Sequence, residues 1–365
     1  MIEKDTCYFC TSPFQLYAII ALSIEREEKA DLYIDPQFSD ADKFAERIKQ
    51  MNIFDSIHVI DSQIVYKKYL SAGPGLRNHI QIVNTYFHVK DIAQMILLPE
   101  VEYKNMFVSS KAYLPRMVQL YFLKIKRNVN MFYFDDGAGT YCDDRAYKIN
   151  RLDRFIRRLL FGKKAIETNH KKYVFSPEIY KALNKDTNVE RICRIWADAK
   201  GKEIMNRIFG YSGQICIDEN VIILDQPRDE LFDEEGNKKI NNMYKMFVNQ
   251  FGTDDVVLKK HPRSREESIG DIRCMGNTGI PFEVFCMNMD MNDKIIVTYS
   301  STAAATPKIL FDQEPTVFVL SKIIPTIKGE KNLFEPFYRA VQNSYIESKR
   351  VCLPESFTEL RENIT

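Results

Sequence analysis

Tryptophan, histidine and net charge are what this sequence has least of: one Trp, five His and a formal charge of +1 in 365 residues. The balance of 51 Lys and Arg against 50 Asp and Glu lacks the basic excess of a nucleic-acid-binding surface, so no nucleic-acid partner is expected. No apolar run reaches the ~18 residues that a membrane-crossing helix needs. The opening Met1-Ile2-Glu3-Lys4-Asp5 is polar and runs into a short strand, without the apolar stretch of a secretory leader. A cytoplasmic location is therefore expected. Internal repeats and low-complexity linkers are also missing.

Cysteine is present but not patterned. The eight cysteines stand at 7, 10, 142, 193, 216, 274, 286 and 352, mostly in apolar contexts. Cys7 and Cys10 form a CxxC, yet no second CxxC or Cys/His pair follows to complete a zinc site. A redox CxxC should open a helix, whereas these two lie inside a strand-like run. Buried free thiols in a reducing compartment are the expectation.

Hydrophobic residues make up 45% of the chain and charged residues 28%, an ordinary globular composition long enough for two cores. Short apolar runs alternate with amphipathic stretches. Strands are predicted at 6–10, 31–34, 57–60, 106–109 and 131–134, with helices at 14–25, 41–51 and 113–124. Residues 150–215 read as helical, basic and irregular, with a weak strand at 173–175. A second alternation follows, with strands at 221–224, 256–258, 295–297 and 316–319. This order predicts α/β architecture: two doubly wound, Rossmann-like domains facing a central cleft. The division is expected near residue 200, giving 1–200, including the basic segment 150–200, and 201–365.

Ligands of such sheets bind beyond the carboxyl ends of the strands. Four places there carry suitable chemistry. Asp135-Asp136-Gly137 follows the run 131–134, and one of its carboxylates could deprotonate a hydroxyl with its neighbour raising its proton affinity; a solvated Asp-Gly turn is the plainer reading. The pair also lacks the Asp-x-Asp spacing of nucleotide-sugar metal sites. Lys259, Lys260, His261 and Pro262 follow the run 256–258, where the two lysines suit a phosphate and the imidazole could protonate a leaving phosphate; a surface histidine is the alternative. Ser300, Ser301 and Thr302 lie between a strand and an Ala-rich helix, where hydroxyls and N–H groups could hold an anion or merely cap the helix. Thr11, Ser12, Pro13 and Gln15 turn the first strand into the first helix, and could line a cleft or serve only as a cap.

The order of these motifs resembles the bacterial sialyltransferases, whose short shared elements are Asp/Glu-Asp/Glu-Gly, His-Pro and Ser-Ser/Thr. Here they stand as Asp135-Asp136-Gly137, His261-Pro262 and Ser300-Ser301. Thr11-Ser12-Pro13-Phe14-Gln15-Leu16 looks like the opening of the lipooligosaccharide and capsular-polysaccharide group, glycosyltransferase family 52. The resemblance spans about 6–320. It implies a GT-B-type fold and an inverting, metal-independent sialyl transfer from CMP-sialic acid to a sugar hydroxyl of a surface glycan, with no cofactor. It implies Asp135 as general base beside Asp136, His261 as general acid, and Ser300 and Ser301 on the phosphate. Pro281-Phe282-Glu283 looks like the element whose Glu holds the ribose, which gives Glu283 that role. Asp225 and Asp229, after the strand 221–224, are alternative bases.

The partners implied are a CMP-sugar donor and a glycan acceptor, and a homodimer is compatible with the sequence. The basic amphipathic run 151–164 either touches an anionic membrane surface peripherally or packs its apolar stripe inward with its arginines in water. A CDP-glycerol-type phosphotransferase, a transferase of another sugar nucleotide and a non-catalytic nucleotide-binding protein stay open as rival readings.

Overall fold

The computed structural model describes residues 2–70, 76–98, 101–109, 113–142, 151–167, 170–185, 187–214, 217–261, 272–275, 279–327, 329 and 334–364, with backbone alone at 2, 76–80, 229 and 230. Packing divides the chain into two compact units. The first comprises Met1–Asp136, Asp143–Pro177 and Asn184–Ile195; the second comprises Gly137–Cys142, Glu178–Leu183 and Trp196–Thr365. The sequence placed one boundary near 200. The main crossing lies at 195/196, and two short segments of the earlier chain pack with the later unit.

The first unit holds β1 (Ile2–Cys10), β2 (Ala30–Ile34), β3 (Ser56–Val59), β4 (Val101–Val108), β5 (Asn130–Phe134), β6 (Lys172–Val174) and β7 (Val189–Arg191) in one sheet. Their order is β3-β2-β1-β4-β5-β6-β7, and every pairing is parallel. The second unit holds β8 (Val221–Leu224), β9 (Val256–Lys259), β10 (Arg273–Cys274), β11 (Ile295–Thr298), β12 (Thr316–Val319) and β13 (Val351–Cys352). Their order is β10-β9-β8-β11-β12-β13, again parallel throughout. Two doubly wound parallel sheets are the composition of the GT-B class, as the sequence alternation implied.

The strands read as continuous apolar runs because helices cover both faces of a parallel sheet. Val221, Ile222 and Ile223 of β8 have no exposure at all. Each unit has its own core, one built around Phe9, Met106 and Met117 and the other around Ile223, Phe247 and Phe318. A polar knot inside the first sheet was not legible in the sequence. Asp31 on β2 is fully buried, and its carboxylate accepts from Lys4 Nζ at 2.6 and 2.7 Å and from the hydroxyls of Ser56 and Tyr103.

Cys7 and Cys10 lie buried in β1 as free thiols. Three residues apart on a strand, they point to opposite faces. Burial pushes the Cys10 thiol up to about 12, the reverse of a redox cysteine.

Candidate functional site

The strand register aligns the chemistry of the second unit along one edge. Lys259 of β9 pairs with Leu224 of β8, Leu224 with Thr298 of β11, and Thr298 with Val319 of β12. The loops after these strands therefore leave the sheet at one level. Strands β9 and β10 lie on one side of β8 and β11 to β13 on the other, so the winding reverses between β8 and β11. A crevice at that reversal is where open parallel sheets take ligands. The turn Tyr299-Ser300-Ser301-Thr302 emerges there.

That turn is held by its backbone. The Ser301 N–H donates to Thr298 Oγ1 at 2.9 Å, and the Thr298 hydroxyl donates to the Leu224 carbonyl at 3.1 Å. The Tyr338 hydroxyl donates to the Ser301 carbonyl. The chain then makes a 3-10 turn, Thr302–Ala305, before the helix Thr306–Phe311, and not the single Ala-rich helix expected. Ser301 stands at the cap position, yet its hydroxyl makes no cap bond. Capping therefore does not explain the Ser-Ser pair. Ser300 is buried, and Ser301 and Thr302 are half-buried.

The Asp-Asp-Gly element reaches this turn through its glycine. Gly137 adopts φ +100° and ψ −158°, a region essentially reserved for glycine. A Cβ placed there would lie 2.6 Å from Thr302 Oγ1. Both demands exclude a side chain. Further along the same segment the buried Tyr141 ring packs on Phe337 at 5.4 Å, next to Tyr338. Two contacts thus fix Gly137–Cys142 against the Ser-Ser turn and its tyrosine support.

The two carboxylates before the glycine differ. Asp135, one residue beyond β5, has no exposure, and its Oδ2 accepts the Phe175 N–H at 3.1 Å. It ties the end of β5 to the chain beyond β6. Asp136 is half-buried. The sequence ranked Asp135 first as the base; the less buried member of the pair is Asp136.

Past β9 the sequence supplied Lys260 and His261, both half-buried. From strand spacing, loops leaving β9 and β11 are about 10 Å apart, with β8 between them. Pro262 lies outside the described residues. Lys259, which the sequence offered with Lys260 as positive charge for a phosphate, is instead buried at the end of β9, and its Nζ donates to the Ile280 carbonyl at 2.8 Å. Desolvation lowers its pKa to about 8, against the opposing pull of Glu283. Burial in turn raises the Glu283 carboxyl, partly offset by Lys259 and by a hydrogen bond from Thr306. Glu283 opens the helix Phe282–Asn288 and is 6% exposed, so much of its bonding is already internal. A charged residue closing the run Val256-Val257-Leu258-Lys259 was the signal available in the sequence.

Asp225, an alternative base, is locked elsewhere. It lies 2.9 Å from Arg228 Nε, with both side chains 1% exposed, and Tyr244 Oη is 3.4 Å away. Burial raises its carboxyl and Arg228 pulls it back. The ion pair engages Oδ1 of this buried carboxylate. Asp229 has its side chain outside the described residues. In the first unit, Thr11 to Gln15 form a closed cap at the reversal between β1 and β4. Ser12 Oγ accepts from the Gln15 N–H at 3.2 Å, and Gln15 Oε1 accepts from the Thr11 N–H at 2.7 Å and its hydroxyl at 3.0 Å. Pro13 is the first residue of the helix Pro13–Arg26.

Two Rossmann-like sheets in series are the composition of the GT-B class, and the second carries a Ser-Ser turn at a winding reversal with the glycine of an Asp-Asp-Gly element packed to it. The model of the alpha-2,8-polysialyltransferase family (POLYST) matches residues 6–319, and the chain belongs to that family. It is thus an enzyme of the sialyltransferase kind. No curated protein matches the chain significantly. Among solved structures it is similar to a UDP-GlcNAc 2-epimerase from Neisseria meningitidis bound to UDP-GlcNAc, at TM-score 0.43 and 11% identity over 98% of this chain and 90% of that one. It is also similar to the apo UGT2 of Phytolacca americana, at TM-score 0.43 and 8% identity over 99% and 93% of the two chains. Likenesses this loose say nothing of donor or acceptor.

Proposed function

We propose that this enzyme transfers sialic acid from CMP-sialic acid to a sugar hydroxyl of a surface glycan, of the capsule or lipooligosaccharide type, by a metal-independent displacement that inverts the anomeric carbon. The approach of Gly137 to Thr302 carries the reading, because it gives the Asp-Asp-Gly and Ser-Ser elements a physical reason to occur together. Ser300 and Ser301 hold the single phosphate of the donor. His261 protonates it as CMP leaves, and Lys260 adds positive charge. One phosphate is a smaller charge than a diphosphate, so these groups can neutralise it without a divalent cation. Glu283 orients the ribose.

Exposure favours Asp136 as the base that deprotonates the acceptor hydroxyl, with Asp135 positioning it through the Phe175 N–H. The family name points to an acceptor that is itself a sialic acid, extended into a polymer. A panel of CMP-, CDP- and UDP-sugars assayed for nucleotide release tests the donor. CMP release from CMP-sialic acid alone, persisting in chelator, is the expected result; release of UDP or CDP instead overturns it. His261→Ala should lower turnover by roughly 10²–10⁴-fold while CMP still binds. Wild-type turnover in that variant removes the imidazole from the mechanism.

A further inference from the structure

The helix Arg151–Phe161 of the first unit packs Ile156, Phe161 and a polar pair inward and leaves three large apolar residues outward. Arg157 Nη2 pairs with Asp153 Oδ2 at 3.0 Å, with side-chain exposures of 12% and 19%. Arg157 Nε donates to Tyr86 Oη at 2.8 Å, the Tyr86 hydroxyl donates to Asp153, and Tyr86 is buried. Outward stand Leu152, Phe155 and Leu159, exposed by 61%, 64% and 72%. The apolar stripe is thus divided: Ile156 and Phe161 pack on the core beside an ion pair and a tyrosine, and Leu152, Phe155 and Leu159 stay outside it.

The wheel geometry sorts the outer face. Successive residues turn by about 100°, which sets Leu152, Phe155 and Leu159 within an arc of about 60°. Arg151, Arg154 and Arg158, all exposed, fill an adjoining arc of about 60° on one flank. Lys163 and Lys164, also exposed, follow the helix end. The helix has one acidic residue, Asp153, and it is turned inward.

We propose that this face docks on an anionic lipid surface, with Leu152, Phe155 and Leu159 entering the headgroup–acyl boundary and Arg151, Arg154 and Arg158 pairing with lipid phosphates. An apolar stripe flanked by cations is the chemistry of an interfacial helix. A second copy of this chain would bring these arginines against each other. A soluble anionic glycan would leave three large apolar side chains in water. Among the described residues no helix is long and apolar enough to cross a membrane, so this attachment is peripheral. The inference does not rest on the donor or on any catalytic residue.

Sedimentation of the full chain with phosphatidylglycerol–phosphatidylcholine vesicles, against phosphatidylcholine alone, tests it. The wild-type chain should bind the anionic vesicles, and binding should weaken with salt. Leu152→Ser/Phe155→Ser/Leu159→Ser and Arg154→Glu/Arg158→Glu should each lower partitioning by about tenfold or more. Arg154→Lys/Arg158→Lys should retain it. Circular dichroism monitors the fold, and if the serine variant loses helix, the arginine variants decide. Equal partitioning of wild-type and charge-reversed chains overturns the proposal. So does binding to neither vesicle, or light scattering in which the wild-type chain is a dimer and the serine variant a monomer.

Discussion

Replacing Gly137 by alanine tests the contact on which the site is built. Two penalties are expected from its geometry. The backbone at φ +100°, ψ −158° costs a residue with a Cβ about 1–3 kcal/mol. The new methyl would stand 2.6 Å from Thr302 Oγ1, and moving packed atoms typically costs about another 1–3 kcal/mol. The sum is a loss of about 2–5 kcal/mol. A second substitution separates the two contributions. Thr302→Ala removes Oγ1 and leaves its Cβ at 3.4 Å, so in that background only the backbone cost should remain. The double-mutant cycle should then show a coupling of about 1–3 kcal/mol. The assay is convenient because the chain has one tryptophan, Trp196, which is buried and packs on Phe311 within the second unit. Its emission during urea unfolding reads that unit. Calorimetric titration with CMP reads the neighbouring Ser-Ser turn, and affinity should fall with Gly137→Ala and partly recover in the double variant. An alanine variant within about 0.5 kcal/mol of wild type, the ordinary scatter of surface changes, refutes the reasoning. An identical penalty in both backgrounds refutes the steric half.

Asp136→Asn should lower turnover by roughly 10²-fold or more with stability unchanged, whereas Asp135→Asn should act first on stability through the Phe175 N–H; the reverse pattern returns the base to Asp135. Lys259 titrates near 8 when folded against an ordinary value of 10.5, so the unfolded chain binds more protons between those values and stability should rise with pH. The gain should be on the order of 1–2 kcal/mol from about pH 8 to about 9.5, read by Trp196 emission, and Lys259→Met should flatten it. Asp31→Ala should destabilise the first unit by about 1–3 kcal/mol by removing the buried acceptor that Lys4 and the Ser56 and Tyr103 hydroxyls share, and unchanged calorimetric unfolding would show that the knot is dispensable.

The alternation of strands and helices was legible because buried parallel strands are short apolar runs with little else to be. The strand at 221–224 and the helices at 41–51 and 113–124 stand at the bounds the pattern gave. The two-residue β10 and β13 were not legible, since two residues carry no period. The helix Arg151–Phe161 was left with two readings for a different reason. Periodicity locates an apolar stripe but not the side from which it is covered, and only tertiary packing showed Tyr86 receiving Asp153 and Arg157 beside Ile156 and Phe161. Among site residues, the Ser-Ser turn and Gly137 were visible as motifs. Their mutual approach was not, because 165 positions separate Gly137 from Thr302 and nothing local to either encodes the other. The ion pair of Asp225 with Arg228 was not legible either, because nothing in the spacing of the two residues shows that both are buried.

The carboxylate pair gains its meaning from where the chain changes allegiance. Asp135 is the last carboxylate held by the first sheet, through the Phe175 N–H. Gly137 is the first residue packed with the second unit, against Thr302. One residue lies between these fixed points, and consecutive Cα atoms are only about 3.8 Å apart. Asp136 is half-buried, whereas Asp135 has no exposure. The proposed role of Asp136 as base asks for a donor–acceptor separation of about 3 Å, so the attachment of each neighbour within its own unit should matter to turnover. Asp135→Asn and Gly137→Ala test those two attachments separately, one in each unit.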